Sequence, residues 1–221
     1  MRYEEMFPDQ FMDELAKKPI AFVPLGMLEW HGQHLVYGFD AIKAHEICLR
    51  VAERTGGIVL PPTFWGVSGL DMVGTVQIEL NTARELFISI FRQLLKQGFK
   101  VILALTGHYS REQVFIVEEA AEYCTKMYNI KGEKVKISAL PDYELVKDLG
   151  YTGDHGAKWE TSIMMYLRPE LVDIKRLDKL VGVIGDDPRT TASYRTGEMI
   201  VEQIVKRTSE LVQTMLRSVS K

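Results

Sequence analysis

The chain has 221 residues, with 27 Lys+Arg against 30 Asp+Glu and a formal net charge of −3. This length predicts a single domain over residues 1–221. The near-neutral charge, with no run of Lys or Arg longer than two residues, argues against the concentrated basic face that broad nucleic-acid binding requires. The 46% apolar and 26% charged residues are typical of a globular protein and exclude a disordered or fibrous chain.

The cysteines and the N-terminal segment bear on cellular location. Cys48 and Cys124 lie far apart and form no Cys-x-x-Cys pattern, which favours the reduced thiols of a cytosolic protein. The first residues are acidic where a signal peptide is basic, and no apolar run approaches the ~20 residues of a membrane span. We therefore expect a cytoplasmic protein without nucleic-acid or membrane partners.

Short apolar runs alternate with amphipathic stretches along the chain. This pattern indicates an α/β fold with a largely parallel sheet. Strands are predicted at residues 19–26, 57–60, 100–106 and 134–139, and helices at 40–51, 82–97, 112–128, 158–167 and 197–218. Asn81 is expected to cap the start of the helix at 82–97, and Gly98 its end.

Four of the five histidines lie in three short segments with acidic neighbours: His31 and His34, His108, and His155. The first predicted strand runs into Glu29 and His31, and the third runs into His108. Ligands of open α/β sheets collect outside the carboxyl ends of the strands. Two strand ends are therefore expected to deliver candidate ligands to one edge of the sheet.

These residue types are suited to metal binding. Glu29 and His31 are separated by one residue, so in an extended segment both side chains project to the same side. Asp40, at a helix start, offers two carboxylate oxygens that can each hold a different ion, with His108 adding an imidazole. A carboxylate that bridges two ions ~3.5–4 Å apart is what a hydrolytic dinuclear site requires. On spacing alone, such histidines are more often hydrogen-bonded core residues or surface residues than metal ligands. His45 is predicted to be a partly exposed helical residue.

Three segments, in order, resemble the creatininase (creatinine amidohydrolase) family. Residues 24–35, followed by Gly38-Phe39-Asp40, resemble the signature P-x-G-S-x-E-Q-H-G-P-H-L-P-x-x-T-D. Residues 106–109, Thr-Gly-His-Tyr, are similar to the family's second segment, in which a strand is followed by N-G-H-G-G-N or by the variant G-H-Y. Residues 155–162 and 167–172 are similar to H-A-G-x-x-E-T-S followed by L-R-P-x-L-V. Independent matches in the right order make this resemblance specific.

The resemblance implies a three-layer αβα sandwich with a mostly parallel central sheet, and a homo-oligomer, commonly a hexamer. It also implies a hydrolase that uses two divalent ions, which can be Zn, Mn or Fe because carboxylate and imidazole ligands serve all three. By this resemblance Glu29 and His108 bind one ion, His31 binds the other, and Asp40 bridges them. Glu160 completes the second ion's ligands, supports the site from behind, or caps its helix.

The resemblance also implies roles in proton transfer and substrate contact. His155 matches the family's proton-transfer histidine, and Asp154 matches an acidic neighbour that orients or tunes it. Trp65, Ser68 and Tyr109 are expected to contact the small-molecule substrate, although aromatic residues at such positions are more often packing residues.

The sequence departs from the family pattern at three positions. Ser110 stands where creatinine-hydrolysing relatives carry a glutamate that binds the second metal ion. Glu160, Glu112 or water fills that position, or the second ion is weakly held. Trp30 replaces the usual Gln, and Thr106 replaces the Asn before Gly-His. These departures argue against creatinine itself as the substrate.

The expected activity is hydrolysis of a C–N bond in a small cyclic or formyl amide by a water activated at a dinuclear metal site. One alternative is hydrolysis of a C–C bond in an inositol- or sugar-derived cyclic ketone, and another is a metal-binding relative that has lost catalysis. A nucleotide substrate would require a phosphate clamp, for which Arg111, Arg189 and Arg195 are available, although solvated surface charges are the commoner role of such residues.

Overall fold

The computed structural model describes residues 1–219, and a four-stranded parallel sheet lies at its centre. The strands are β1 Ile20–Leu25, β2 Ile58–Val59, β3 Val101–Thr106 and β4 Lys136–Pro141. Their order is β2-β1-β3-β4, and each neighbouring pair is parallel. β1 and β3 are buried along their whole length, as expected for strands covered on both faces. The predicted parallel sheet is confirmed.

Helices cover both faces of the sheet. They are α1 Pro8–Lys17, α2 Phe39–Thr55, α3 Leu80–Gln97, α4 Arg111–Ile130, α5 Lys158–Leu167, α6 Pro188–Thr191 and α7 Tyr194–Val219, with short 3-10 turns at Tyr3–Glu5, Glu144–Leu149, Pro169–Leu171 and Ile174–Arg176. Alternate residues of each strand point to opposite layers, so that Phe22 packs with α2, α5 and α7, whereas Val23 packs with α3 and α4. This is the expected αβα sandwich.

The ends of α3 and the presence of α1 differ from the sequence predictions. The prediction that Asn81 caps α3 was wrong, because the helix begins at Leu80 and the Ala83 amide already donates to the Glu79 carbonyl. Gly98 does end α3, in a left-handed conformation with φ of 109°. α1 was not predicted, although it begins with Pro8 at its first position and Gln10 accepts from the Phe7 amide.

The strand order creates a crevice at the carboxyl ends of β1 and β3. β2 lies on one side of β1 and β3 lies on the other, so the direction of the strand order reverses at β1. Open α/β sheets bind ligands at such a switch point. Leu25 and Thr106 pair in register, and the Gly107 amide donates to the Leu25 carbonyl. Two predicted ligand segments therefore leave the sheet side by side.

Glycines at these two strand ends let the first turn of α2 lie directly on the sheet. A Cβ atom at Gly26 would lie 2.1 Å from the Ala41 nitrogen, and one at Gly107 would lie 2.1 Å from the Asp40 carbonyl oxygen. Both distances are far below van der Waals contact, so only glycine fits at either position. This close approach places Asp40 above the crevice. Within residues 1–219, the structure contains no helix with the length and apolar character that a bilayer crossing requires.

Candidate metal centre

Asp40 lies between two histidines that arrive from different strand ends. Its Oδ1 is 3.1 Å from His31 Nε2, and its Oδ2 is 3.5 Å from His108 Nδ1. Glu29 Oε2 lies 2.9 Å from His108 Nδ1, and Glu160 Oε2 lies 3.6 Å from His31 Nε2. The five buried side chains form two groups that share Asp40, and the ligand atoms within each group lie within 4.8 Å of one another.

Hydrogen bonds fix which nitrogen of each imidazole faces the carboxylates. His31 Nδ1–H donates to the Glu29 carbonyl over 3.2 Å, and His108 Nε2–H donates to the Val67 carbonyl over 2.8 Å. The opposite nitrogen of each ring, Nε2 of His31 and Nδ1 of His108, is therefore the one available as a ligand.

The donor set fits two divalent cations. Within residues 1–219, Glu29 Oε2 and both Asp40 carboxylate oxygens are buried, and the ring nitrogens of His31 and His108 are the polar side-chain atoms that face them. Buried carboxylate oxygens normally accept hydrogen bonds or bind metal ions. Carboxylates with imidazoles suit Zn, Mn or Fe. The first group (Glu29, Asp40 and His108) and the second group (His31, Asp40 and Glu160) each have the ligands to hold one such ion.

In the metal-free protein, both imidazoles of these groups are cationic at neutral pH. Burial acts to lower the pKa of His31, but Asp40 and Glu160 outweigh it and raise that pKa to about 9. Burial acts to lower the pKa of His108 in the same way, but Asp40 and Glu29 raise it to about 10. Protons thus occupy the two ring nitrogens that a metal ion would need.

Binding of Zn²⁺ at neutral pH is therefore expected to release protons, and the affinity is expected to rise with pH until the rings are neutral. Titration calorimetry in two buffers with different ionisation enthalpies measures this release. The apparent binding enthalpy should differ between the buffers in proportion to the protons released. Equal enthalpies in both buffers would show that His31 and His108 do not change protonation on binding.

His155 lies against this cluster as a neutral imidazole. Its ring stacks on His31 at a centroid distance of 4.1 Å, and its Nε2–H donates to the Trp30 carbonyl over 2.7 Å. Burial and the neighbouring His31 charge lower the pKa of His155. Its Nδ1 is thus unprotonated, as a proton acceptor requires. His155 also forms a third possible metal group with Glu29 and His31.

Asp154 holds the start of the helix that carries Glu160. Its Oδ2 accepts from the Trp159 amide over 2.8 Å, and its Oδ1 accepts from the Glu160 amide over 3.1 Å. Burial and the charge of Glu160 raise the pKa of Asp154 to about 7. The geometry thus gives Asp154 a capping function at α5, and the sequence-based expectation that it tunes His155 stays a prediction.

A cavity of about 230 Å³ opens over the two groups and includes two of the three predicted substrate contacts. Ser68 and Tyr109 line it, and Leu70, Ser110 and Ile184 are also among its lining residues. Ser68 adopts a positive φ of 59°, a conformation that non-glycine residues rarely take outside functional loops. Trp65 is 48% exposed and lies outside this lining.

Ser110, which stands where the sequence comparison expects a metal-binding glutamate, has a structural contact instead. It caps α4, with its Oγ donating to the Val67 carbonyl and accepting from the Gln113 amide. Glu112 is exposed on the first turn of that helix. Of the two glutamates considered for the second ion, Glu160 is the one that lies beside His31 and Asp40.

Two charged residues of the site were missed in the sequence. Lys43 Nζ lies 3.0 Å from Glu160 Oε1 and 3.1 Å from Asp142 Oδ2. Lys43 follows Asp40 by three residues, so both share a helix face, and Asp142 follows β4 at the same sheet edge. The reasoning that selected His108 at a strand end would also have selected Asp142. His34 lies in the turn after His31, where its Nε2 contacts the Thr161 hydroxyl over 2.8 Å.

Known proteins share both the sequence pattern and the fold. The family model described as "Creatininase: Creatinine amidohydrolase" matches residues 4–212. Creatinine amidohydrolase of Pseudomonas putida is 29% identical over 79% of this chain and 72% of its own length. 3-dehydro-scyllo-inosose hydrolase of Thermotoga maritima is 23% identical over 72% of this chain and 50% of its own length. A crystal structure of creatinine amidohydrolase superposes with a TM-score of 0.86 at 25% identity, over 97% of each chain. The chain therefore belongs to the creatininase family of hydrolases.

Proposed function

We propose that this protein hydrolyses a C–N bond in a small cyclic or formyl amide at a site that holds two divalent metal ions. The observation that carries the proposal is Asp40. Its two buried oxygens face two different imidazoles, and the residue is shared by two groups of three possible ligands. A carboxylate in this position is suited to bridge two ions.

The residues of the site would have separate roles in metal binding and proton transfer. Glu29, Asp40 and His108 would hold one ion, and His31, Asp40 and Glu160 would hold the other. When bound, such ions polarise a carbonyl group and lower the pKa of a nearby water. His155 would accept the proton of that water at Nδ1 and donate it to the leaving nitrogen, with the Nε2–H bond to Trp30 fixing the ring.

The cavity supports a small substrate without a phosphate group. Its volume of about 230 Å³ is modest, and no lysine or arginine of residues 1–219 lines it. Arg189, one of the three arginines considered for a phosphate clamp, instead pairs with Asp187 over 2.7 Å. A phosphate needs charge-assisted donors in the pocket. This argues against a nucleotide substrate.

A second candidate is hydrolysis of a C–C bond in an inositol-derived cyclic ketone. Two observations favour it: the likeness to 3-dehydro-scyllo-inosose hydrolase and the capping role of Ser110. Ser110 supplies a hydroxyl where creatinine-hydrolysing relatives carry a carboxylate. The same activated water would serve this reaction, with the proton of His155 delivered to carbon instead of nitrogen.

The deciding experiment combines metal analysis with a substrate screen. Solved creatininases of the same fold include a manganese form and a Zn–Zn form, so the chain should be loaded with each metal. We expect two ions per chain, and hydrolysis of a cyclic amide, a formyl amide or an inositol-derived ketone that stops with chelator and returns with metal. At most one ion and no turnover across that panel would instead indicate a non-catalytic metal-binding relative. Cytoplasmic location and homo-oligomeric assembly stay predictions.

A further inference from the structure

Lys43 is a fully buried ammonium group one helical turn from the shared carboxylate. The residue is 0% exposed, and its Nζ lies between Glu160 Oε1 and Asp142 Oδ2 at 3.0 and 3.1 Å. It also lies over the rings of Phe39 and Tyr109, each at 4.7 Å. Lysine is almost never fully buried unless it is paired. This chain therefore places a fixed cation next to a candidate metal ligand.

The two oxygens of Glu160 have different surroundings. Oε1 faces Lys43 Nζ and accepts from the Tyr109 hydroxyl. Oε2 accepts from the Gly156 amide over 2.7 Å and faces His31 Nε2. One oxygen is thus held by the ammonium, and only the other is directed towards the second group. The Tyr109 and Gly156 contacts would keep Glu160 in place even without Lys43.

Glu29, the corresponding carboxylate of the first group, has no such competitor. Its Oε1 accepts from the Leu70 amide over 2.6 Å, which orients the side chain, and its Oε2 faces His108. In the described part of the chain, no lysine or arginine forms an ion pair with Glu29. A metal ion in the first group would meet the full charge of this carboxylate.

We propose that Lys43 is a positioning residue that makes the two ion positions unequal. It holds Glu160 Oε1 and offsets the charge of that carboxylate, so the second group binds its ion more weakly than the first. Asp142 anchors Lys43 in this position from the opposite side. The inference rests on the proposed two-ion function and adds an order of loading: the first group fills first, and the ion of the second group is the exchangeable one.

Titration of the chelator-treated full chain with Zn²⁺, in competition with a chromophoric chelator, tests the inference. The wild type should show two dissociation constants. In Lys43→Met, the weaker constant should tighten by ~10-fold or more, the scale on which partners of metal ligands alter affinity, while the tighter constant stays nearly unchanged. A merely structural lysine would leave the separation between the two constants as it is, or weaken both.

Two further variants keep the test interpretable. Lys43→Met leaves Asp142 buried without its partner, so Lys43→Met/Asp142→Asn removes both charges together and should show the same tightening even if the single variant folds poorly. Asp142→Asn alone retains Lys43 and should not tighten the second ion. If every variant binds two ions and the loss of Lys43 leaves the weaker dissociation constant unchanged or raises it, the role of Lys43 is overturned and the two-ion function stands. One ion in every variant would overturn both.

Discussion

Replacement of Asp40 by asparagine is expected to remove both metal ions and to lower hydrolytic activity by more than ~100-fold, beyond the upper range seen when only a partner of a metal ligand is changed. Asparagine keeps the size of the side chain but loses the negative charge and replaces one oxygen by an NH₂ group. Because Oδ1 faces His31 and Oδ2 faces His108, either orientation of the amide deprives one group of its ligand and leaves the other with a neutral one.

This prediction is tested by measuring the metal content per chain of protein purified with zinc or manganese. Glu53→Gln is a matched control, since it removes an exposed carboxylate from the same helix and should retain both ions. Retention of two ions by Asp40→Asn would contradict the shared role of Asp40. Loss of one ion alone would mean that one group does not depend on this carboxylate.

The sequence predicts the sheet well because buried parallel strands are short, continuous apolar runs. The predicted strand at 100–106 differs from β3 by one residue, and the predicted helix at 158–167 coincides with α5. The start of α3 was harder to place. Asn81 is a good capping residue by type, but the first helical hydrogen bond is accepted by the carbonyl of Glu79, two residues earlier in the chain. Helix ends depend on backbone geometry that residue type alone does not determine.

The candidate site could be predicted where its residues follow strand ends. Glu29 and His108 follow β1 and β3, and the register of these strands brings them together. Glu160 stayed ambiguous because a carboxylate in the first turn of a helix suits capping as well as metal binding. Its place beside His31 depends on how α5 packs against α2, which no local pattern specifies.

Lys43 shows most clearly what the sequence alone could not predict. Lysine in an amphipathic helix is usually exposed, and the partners that bury it, Asp142 and Glu160, lie about a hundred residues further along the chain. His45 differed in a similar way. It was expected to be partly exposed, but it is buried, with its Nε2 3.4 Å from Arg2 in the N-terminal segment. Both residues are covered by distant parts of the chain.

Replacement of His155 by alanine is expected to lower turnover by ~10²–10⁴-fold while both ions are retained, which is the usual contribution of a positioned general acid–base group. The structure gives His155 the properties that such a group needs. Its lowered pKa leaves Nδ1 free to accept a proton at neutral pH, and its Nε2–H bond to the Trp30 carbonyl fixes the ring against His31. Because its pKa is lowered, the neutral form persists to more acidic pH than for an ordinary histidine.

The wild-type pH–rate profile and metal content together separate the possible roles of His155. The acidic limb of the wild-type profile should fall below the ordinary histidine pKa of ~6.5 and should disappear in His155→Ala. His45→Gln, which changes a histidine on the far side of α2 against Arg2, should behave as wild type. Undiminished turnover in His155→Ala would rule out the proton-transfer role. Loss of an ion together with activity would instead make His155 a metal ligand, as its proximity to Glu29 and His31 allows.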